Sequence, residues 1–202
     1  MTKRAGRIYD APGYLLHATS WRETSLVIQA FSRDYGVMTL VARGAKRPHS
    51  QLRPVLSAFQ PLLLSWTGVR EVKTLTRAEA NGLTPLRGRA FMSAWYMNEL
   101  ILRLLAREDP HPAIFDAYRQ ALHDLSMASN TNIKGALPLT AALRRFEWTL
   151  LQEAGYGLDM PIPDFADAQA VRRVRGPLRD RLDQLLERPL LTRRVLLDLY
   201  GS

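Results

Sequence analysis

Residues 25–42 read SLVIQAFSRDYGVMTLVA, and they decide the fold. Ser25–Ser32 and Val37–Ala42 are short runs rich in β-branched and aromatic residues, parted by Asp34-Tyr35-Gly36. That composition gives strand, tight turn, strand. Working outward, Ala11–Thr19 supplies a strand before the pair. Leu56–Trp66 and Glu71–Arg77 supply two after it, joined at Thr67-Gly68. Five strands with a long excursion after the third suit a small Greek-key barrel of the OB type. An SH3-like barrel fits the same pattern, and periodicity alone does not separate the two.

The excursion opens with VARGAKRPHSQLR, residues 41–53, which gathers Arg43, Lys46, Arg47 and Arg53 around Gly44, Pro48 and Ser50. Asp34 and Glu71 are the nearest acids along the chain. A cationic loop hung from strands can grip a phosphate backbone without reading its bases. In isolation it reads equally as a solvated basic loop. Charge along the chain favours the first reading. Residues 1–80 hold 12 Lys and Arg against 5 Asp and Glu, whereas residues 81–202 hold 16 against 14. The net charge of +9 therefore sits mainly on the strand-rich part and points to a polyanionic partner, nucleic acid before an anionic membrane surface. Around the loop, Tyr14, Trp21, Phe31, Tyr35 and Trp66 alternate with Arg22, Arg33, Arg43 and Arg70. OB surfaces bind single strands by stacking bases on aromatic rings while cations follow the backbone. Trp21 and Tyr35 lie beside turns and are the rings placed for exposure, whereas Phe31 belongs in the core. Arg22, Arg33, Tyr35, Arg43, Lys46, Arg47, Arg53 and Lys73 form the expected DNA-binding set.

Composition shifts at residues 81–88, NGLTPLRG, which reads as a linker between a barrel domain at 1–80 and a helical domain at 89–202. The fold class is thus α+β, an N-terminal five-stranded OB-type barrel followed by an all-helical domain. The first helix, Arg89–Arg107, is expected to turn Phe91, Trp95, Asn98, Leu102 and Leu105 inward. Pro112 opens a second with Phe115, Tyr118, Leu122 and Leu125 inward. A third, Leu139–Ala154, buries Leu143, Phe146, Leu150 and Leu151 and ends at Gly155 and Gly157 as left-handed caps. Two shorter amphipathic segments, Leu178–Glu187 and Thr192–Tyr200, follow. Arg172-Arg173-Val174-Arg175, with Arg179 and Arg181, is either a solvated helix approach or a subsidiary polyanion contact.

Enzymatic signatures are missing from the sequence. It has no phosphate-binding glycine loop, no dinucleotide fingerprint and no nucleophile elbow. No cysteine is present, which excludes disulfides, thiolate metal sites and a cysteine nucleophile, and is compatible with a reducing cytosol. The four histidines lie apart, without metal-ligand spacing. The start of the chain holds no apolar run of signal-peptide length, and no stretch has the roughly 20 apolar residues that span a bilayer. A soluble, cytoplasmic protein is expected, with no metal or cofactor. Asp159, Asp164 and Asp167 cluster in MPIPDFAD. They could hold magnesium for phosphodiester hydrolysis or simply line a solvated loop. Glu99 and Glu147, on apolar helices, are expected to bond a helix end or pair with Arg. On the third helix Arg144 and Arg145, near Leu143 and Leu150, could combine guanidinium and apolar wall for an acidic, aromatic-ended peptide.

In order and spacing, several motifs resemble the bacterial DNA repair and recombination mediator family RecO. They are Trp21–Ile28 (WRETSLVI), Phe31–Gly36 (FSRDYG), the GAKRPHS of residues 44–50, Phe59–Leu64 (FQPLLL), Glu71–Glu79 (EVKTLTRAE), Tyr96–Leu100 (YMNEL), Leu143–Leu151 (LRRFEWTLL) and Gly155-Tyr156-Gly157. The resemblance implies an OB domain and a helical domain. It implies binding of single- and double-stranded DNA, strand annealing, and capture of the acidic, Phe-ended tail of single-stranded-DNA-binding protein. It further implies help, with RecR and in many bacteria RecF, in loading RecA, with no enzymatic step and a nucleoid-associated location. Arg43, Lys46, Arg47 and Arg53 would then contact phosphate, and Arg144, with Arg145 as its understudy, would meet the tail. Some family members carry a four-cysteine zinc module after the Gly-Tyr segment, which a cysteine-free chain cannot have. The stretch Met160–Arg175 is also short for the family. Two other readings stand beside this one: a magnesium-dependent nuclease built on the three aspartates, and an RNA-binding OB protein.

Overall fold

The computed structural model describes residues 6–129, 138–186 and 188–192. Five strands come first: β1 (Arg7–Trp21), β2 (Ser25–Ser32), β3 (Gly36–Ala42), β4 (Pro61–Thr67) and β5 (Val72–Ala80). Four helices follow: α1 (Gly88–Leu104), α2 (Pro112–Ala128), α3 (Leu139–Glu153) and α4 (Ala168–Leu185). The chain divides into two compact units. One holds the chain up to Thr84 together with Ala106–Pro112, and the other holds Pro85–Leu105 and the chain from Ala113 onward.

The strands close into a barrel in the order β1-β2-β3-β5-β4. All pairings are antiparallel except β3 with β5, where Thr39 faces Val72 and Val41 faces Thr74. This parallel closure, made possible by the long excursion between β3 and β4, is the OB topology, and it removes the SH3-like alternative. β1 extends beyond its expected bounds because it serves two neighbours, with Gly13 opposite both Ser32 and Leu62. Two register irregularities bend it, between Ile8 and Ala11 and between Leu15 and His17. At the first, Asp10 takes a positive φ of 48°, and its N–H donates to Ser65 Oγ at 3.0 Å. Alternating residues of each strand fill the barrel, Leu15, Ile28, Leu40, Leu64, Trp66 and Leu75 among them. β4 begins at Pro61, not Leu56, because residues 56–60 complete the turns of the excursion.

The connection between α1 and α2 straps the barrel wall. Arg107 bridges to Val37, and the Glu108 N–H donates to the Val37 carbonyl at 2.9 Å. Arg107 Nη1 donates to Glu71 Oε1 at 2.5 Å. Gly36, at φ +68°, lies so close that a Cβ there would collide with the Asp109 backbone. The division of the sequence at residues 81–88 does not foresee this return of Ala106–Pro112 to the barrel.

In the helical unit, α2 and α3 bury the expected residues, Phe115, Tyr118, Leu122 and Leu125 on one and Leu143, Phe146, Leu150 and Leu151 on the other. On α1 the buried face is rotated from the expected one. Ala90, Ala94, Met97 and Ile101 are buried, while Phe91 is 42% exposed and meets Trp95 edge-on. Small residues at 90 and 94 admit close helix packing that the bulkier rings would prevent. Asn98 is inward as expected and accepts from Tyr118 Oη at 2.6 Å. Gly155, at φ +81°, caps α3, and the Tyr156 N–H donates to the Leu151 carbonyl at 2.8 Å. Gly157 is not a second left-handed cap. Its missing Cβ makes room for the Gln152 side chain. α4 starts ten residues before the expected Leu178, and Pro177 lies inside it. Most of the expected Thr192–Tyr200 segment lies outside the described residues.

Candidate nucleic-acid interface

The register of β2 and β3 sets Leu26 opposite Ala42, so the chain leaving β3 runs alongside the chain entering β2. Two hydrogen bonds hold it there. The Gly44 N–H donates to Ser25 Oγ at 3.3 Å, and the Lys46 N–H donates to the Thr24 carbonyl at 2.9 Å. Gly44, at φ +68°, turns the loop so that Arg47 N–H closes on its carbonyl at 3.0 Å. Ala45 is 1% exposed, and Leu52, Val55 and Leu56 pack against the barrel core. The excursion is therefore pinned by its apolar residues, which leaves Arg43, Lys46, Arg47 and Arg53 exposed. None of these four is ion-paired among the described residues.

The β1–β2 turn is part of the same edge, because Trp21 faces Ser25 at the end of the ladder. Arg22 is exposed there with φ +54°, and its guanidinium lies 4.3 Å from the centre of the Trp21 ring. Glu23, exposed in that turn, is the carboxylate that accompanies the cluster. The structure thus brings Arg22, on the β1–β2 turn, and Arg43, Lys46 and Arg47, on the β3–β4 excursion, to one end of the β2–β3 hairpin. Arg53 sits further along the excursion, in the turn where its N–H donates to the Ser50 carbonyl at 3.3 Å.

The other expected contacts are not brought to this edge. Arg33 and Tyr35 occupy the opposite end of the hairpin, roughly 23 Å away along the eight residues of β2. Arg33 lies 3.7 Å from the Asp34 carboxylate. The Tyr35 ring is half-buried, edge-on to Trp66 at 5.0 Å, and so serves the core and not a base. Lys73 must be withdrawn from the set. It is 9% exposed and its ammonium is paired with Glu108, because β5 turns this side chain under the strap.

In the helical unit, Arg144 lines a cleft of about 350 Å³ between the start of α3 and the start of α4. Phe165, Ala141 and Val171 form its apolar wall, and Arg172 and Arg175 join Arg144 on the polar side. The fully buried Glu147 accepts from Tyr96 Oη at 2.8 Å and pairs with Arg144 Nη1 at 2.7 Å, which fixes the guanidinium. Arg145 is turned away, paired with Asp124. Leu143 and Leu150 are buried at 7% and 0% exposure and belong to the core, so Phe165 and Val171 replace them as the apolar surface. Arg172 and Arg175, read from the sequence as a solvated helix approach or a subsidiary polyanion contact, stand beside Arg144 because α4 begins at Ala168 and not at Leu178.

Two of the three aspartates are engaged otherwise. Asp167 caps α4, accepting from the Gln169 and Ala170 N–H groups at 2.8 and 3.1 Å. The Gln169 bond is the main cause of a carboxyl held below its usual range, with Arg173 and Arg172 adding to it. Asp164 accepts from the Ala166 N–H at 2.9 Å. Among the described residues no group of three or more His, Cys, Asp or Glu is placed to hold a metal. Glu99 also does structural work, accepting from the Leu191 and Thr192 N–H groups at 3.0 and 2.9 Å and pairing with Arg103 at 2.8 Å. No described helix is long and apolar enough to cross a membrane.

A closed OB barrel with cations gathered on its loops, joined to a helical unit, defines the class: an OB-fold protein with a cationic edge. Comparison with known proteins narrows this. The model of "Recombination protein O N terminal" matches residues 7–83 and that of "Recombination protein O C terminal" residues 86–161. The chain is 53% identical over 157 residues to "DNA repair protein RecO" of Aromatoleum aromaticum, covering 77% of this chain and 62% of that one. It is 47% identical over 167 residues to the protein of that name from Azoarcus sp., covering 82% and 65%. With the Cupriavidus pinatubonensis protein of the same name it shares 38% identity over 242 residues, covering 96% and 80%. The chain belongs to the RecO family. It spans less than two thirds of the length of the first two relatives. The 242-residue alignment exceeds this chain's 202 residues, so it opens gaps on this side.

Proposed function

We propose that this chain is a DNA repair and recombination mediator that binds single- and double-stranded DNA and anneals complementary strands without making or breaking a bond. With RecR, and with RecF where present, it helps load RecA on strands coated by single-stranded-DNA-binding protein. The observation that carries the DNA-binding reading is the gathering of Arg22, Arg43, Lys46 and Arg47 on one edge of the barrel, tied together through Ser25 and Thr24. Cations on a rigid rim neutralise phosphates of one strand and lower the repulsion that opposes a second, so complementary bases can meet. Arg53 extends the same track.

The cleft on the helical unit supplies the tether. A guanidinium held by buried Glu147, flanked by Arg172 and Arg175 beside Phe165, suits a peptide that is acidic along its length and aromatic at its end. Arg144 meets the carboxylate and the aromatic ring enters the apolar wall. Tethering raises the local concentration of the barrel at coated strands. The test is annealing of complementary oligonucleotides already covered by single-stranded-DNA-binding protein. Acceleration without ATP supports the reading, and no acceleration on coated or bare strands contradicts it.

A further inference from the structure

We infer that Trp21, with Arg22 laid over it, is a nucleobase-stacking subsite that engages unpaired strands and not duplex. The inference rests on the DNA-binding reading and adds to it a means of telling the two forms apart. Trp66 and Trp148 are 2% and 5% exposed and belong to cores, whereas Trp21 is 37% exposed at the end of a strand. Its backbone is fixed by pairing with Ser25, so the ring stands on the sheet and not on a loose loop. Arg22 keeps a positive φ of 54°, a conformation that L side chains seldom adopt. That conformation accompanies a guanidinium 4.3 Å from the indole centre. Indole and guanidinium together offer a flat, cationic platform, and Arg planes and Trp rings are the two side-chain surfaces on which bases stack.

The platform is not alone. The Ser25 that pairs with Trp21 also receives the Gly44 N–H, and Thr24 receives that of Lys46, so Arg43, Lys46 and Arg47 stand beside it. Phosphates held by these cations place the attached base near the indole. In a duplex the phosphates are equally accessible but the bases are stacked inside, so Trp21 has nothing to receive. Stacking therefore adds affinity for single strands alone, without base-sequence preference, because every base has a π-face.

The test compares Trp21→Ala and Trp21→Phe in the full chain, with folding checked by circular dichroism. The ligands are a single strand, a duplex of equal length and an abasic strand of equal charge. Trp21→Ala should weaken single-strand binding about 5- to 100-fold, as expected for loss of a stacked base. It should leave duplex and abasic affinities and the salt slope unchanged, and Trp21→Phe should restore most of the loss. Equal weakening on all three ligands, or none on the single strand, overturns the inference while leaving DNA binding intact. A wild-type chain that binds none of the three overturns the DNA-binding reading and the inference with it.

Discussion

Lys73 of β5 and Glu108 of the α1–α2 strap form an ion pair across 35 residues of sequence, with the Lys73 side chain 10% exposed and Glu108 42%. The pair closes the strap that Arg107 and Val37 begin. Glu108→Ala would leave an ammonium largely buried without its partner and should destabilise the barrel by about 1–2 kcal/mol, discounted for the exposure of Glu108. Lys73→Met, which removes the charge but keeps the stem, should cost less. Denaturant melts of both variants and of the double variant would measure the coupling. DNA affinity of the folded Lys73→Met variant should match wild type.

Gly36 tests the same strap from the backbone side. Its φ of +68° and its contact with Asp109 both demand glycine. Gly36→Ala should lower stability by about 2–4 kcal/mol, since strain at positive φ adds to a clash with main chain that cannot rotate away. A thermal melt within a degree or so of wild type would contradict the placement of the strap.

Little of this strap is legible in the sequence. Strand order, turn residues and a small five-stranded barrel follow from alternation and punctuation along residues 11–80, because a closed barrel enforces period two on every strand, whereas the choice of OB over SH3-like rests on the parallel β3–β5 pairing. Nothing local in Ala106–Pro112 announces that it returns to β3, because the signal is a packing contact with Gly36 and not a pattern. On α1 the period was readable but the phase was not. Phe91 and Trp95 looked inward on hydrophobicity, whereas close packing chose Ala90 and Ala94. The site divides the same way. A run of exposed cations reads directly from residues 41–53, and Arg22 belongs to the expected set, but the pairing that sets Arg22 beside that run and not Arg33, and the burial that removes Lys73, depend on register. The segment expected from Leu178 belongs to a longer helix, α4, which Asp167 caps and which continues through Pro177, carrying Arg172 and Arg175 to Arg144.

Glu99 should make the Leu190–Thr192 segment pH-sensitive. Burial, the largest single influence, pushes its carboxyl up. The hydrogen bonds from Thr192 and Leu191, with Arg103, together outweigh it and hold the carboxyl below its ordinary 4.5. A depressed folded value means the charged form favours the docked segment. Its stabilisation is complete above the unfolded value and is lost as pH falls through the lower, folded one. Protection factors of the Leu191 and Thr192 amides, corrected for the intrinsic pH dependence of exchange, should fall as pH is lowered from neutral through the carboxylate range. Glu99→Gln should cost about 1–2 kcal/mol at neutral pH and flatten that dependence. Unchanged exchange at Thr192 in Glu99→Gln would show that the carboxylate does not hold the segment.

For the cleft, Arg144→Ala, Arg172→Ala and Arg175→Ala should each weaken binding of an acidic, Phe-ended peptide about 5- to 30-fold by fluorescence anisotropy. Arg145→Ala should leave peptide affinity unchanged, because that side chain does not line the cleft and is turned to Asp124. The reverse ranking would move the site to the other side of α3.

The central claim is that polynucleotide is drawn to one barrel edge by charge, and the salt dependence of single-strand affinity tests it most directly. Four phosphate contacts from Arg22, Arg43, Lys46 and Arg47 predict a slope of log affinity against log salt near −3, using roughly −0.7 per phosphate. Each Ala substitution at these positions should reduce the slope by about 0.7, and Glu23→Gln should tighten binding. A slope near zero in the wild type, or one that keeps its full value after all four cations are removed, would contradict the account.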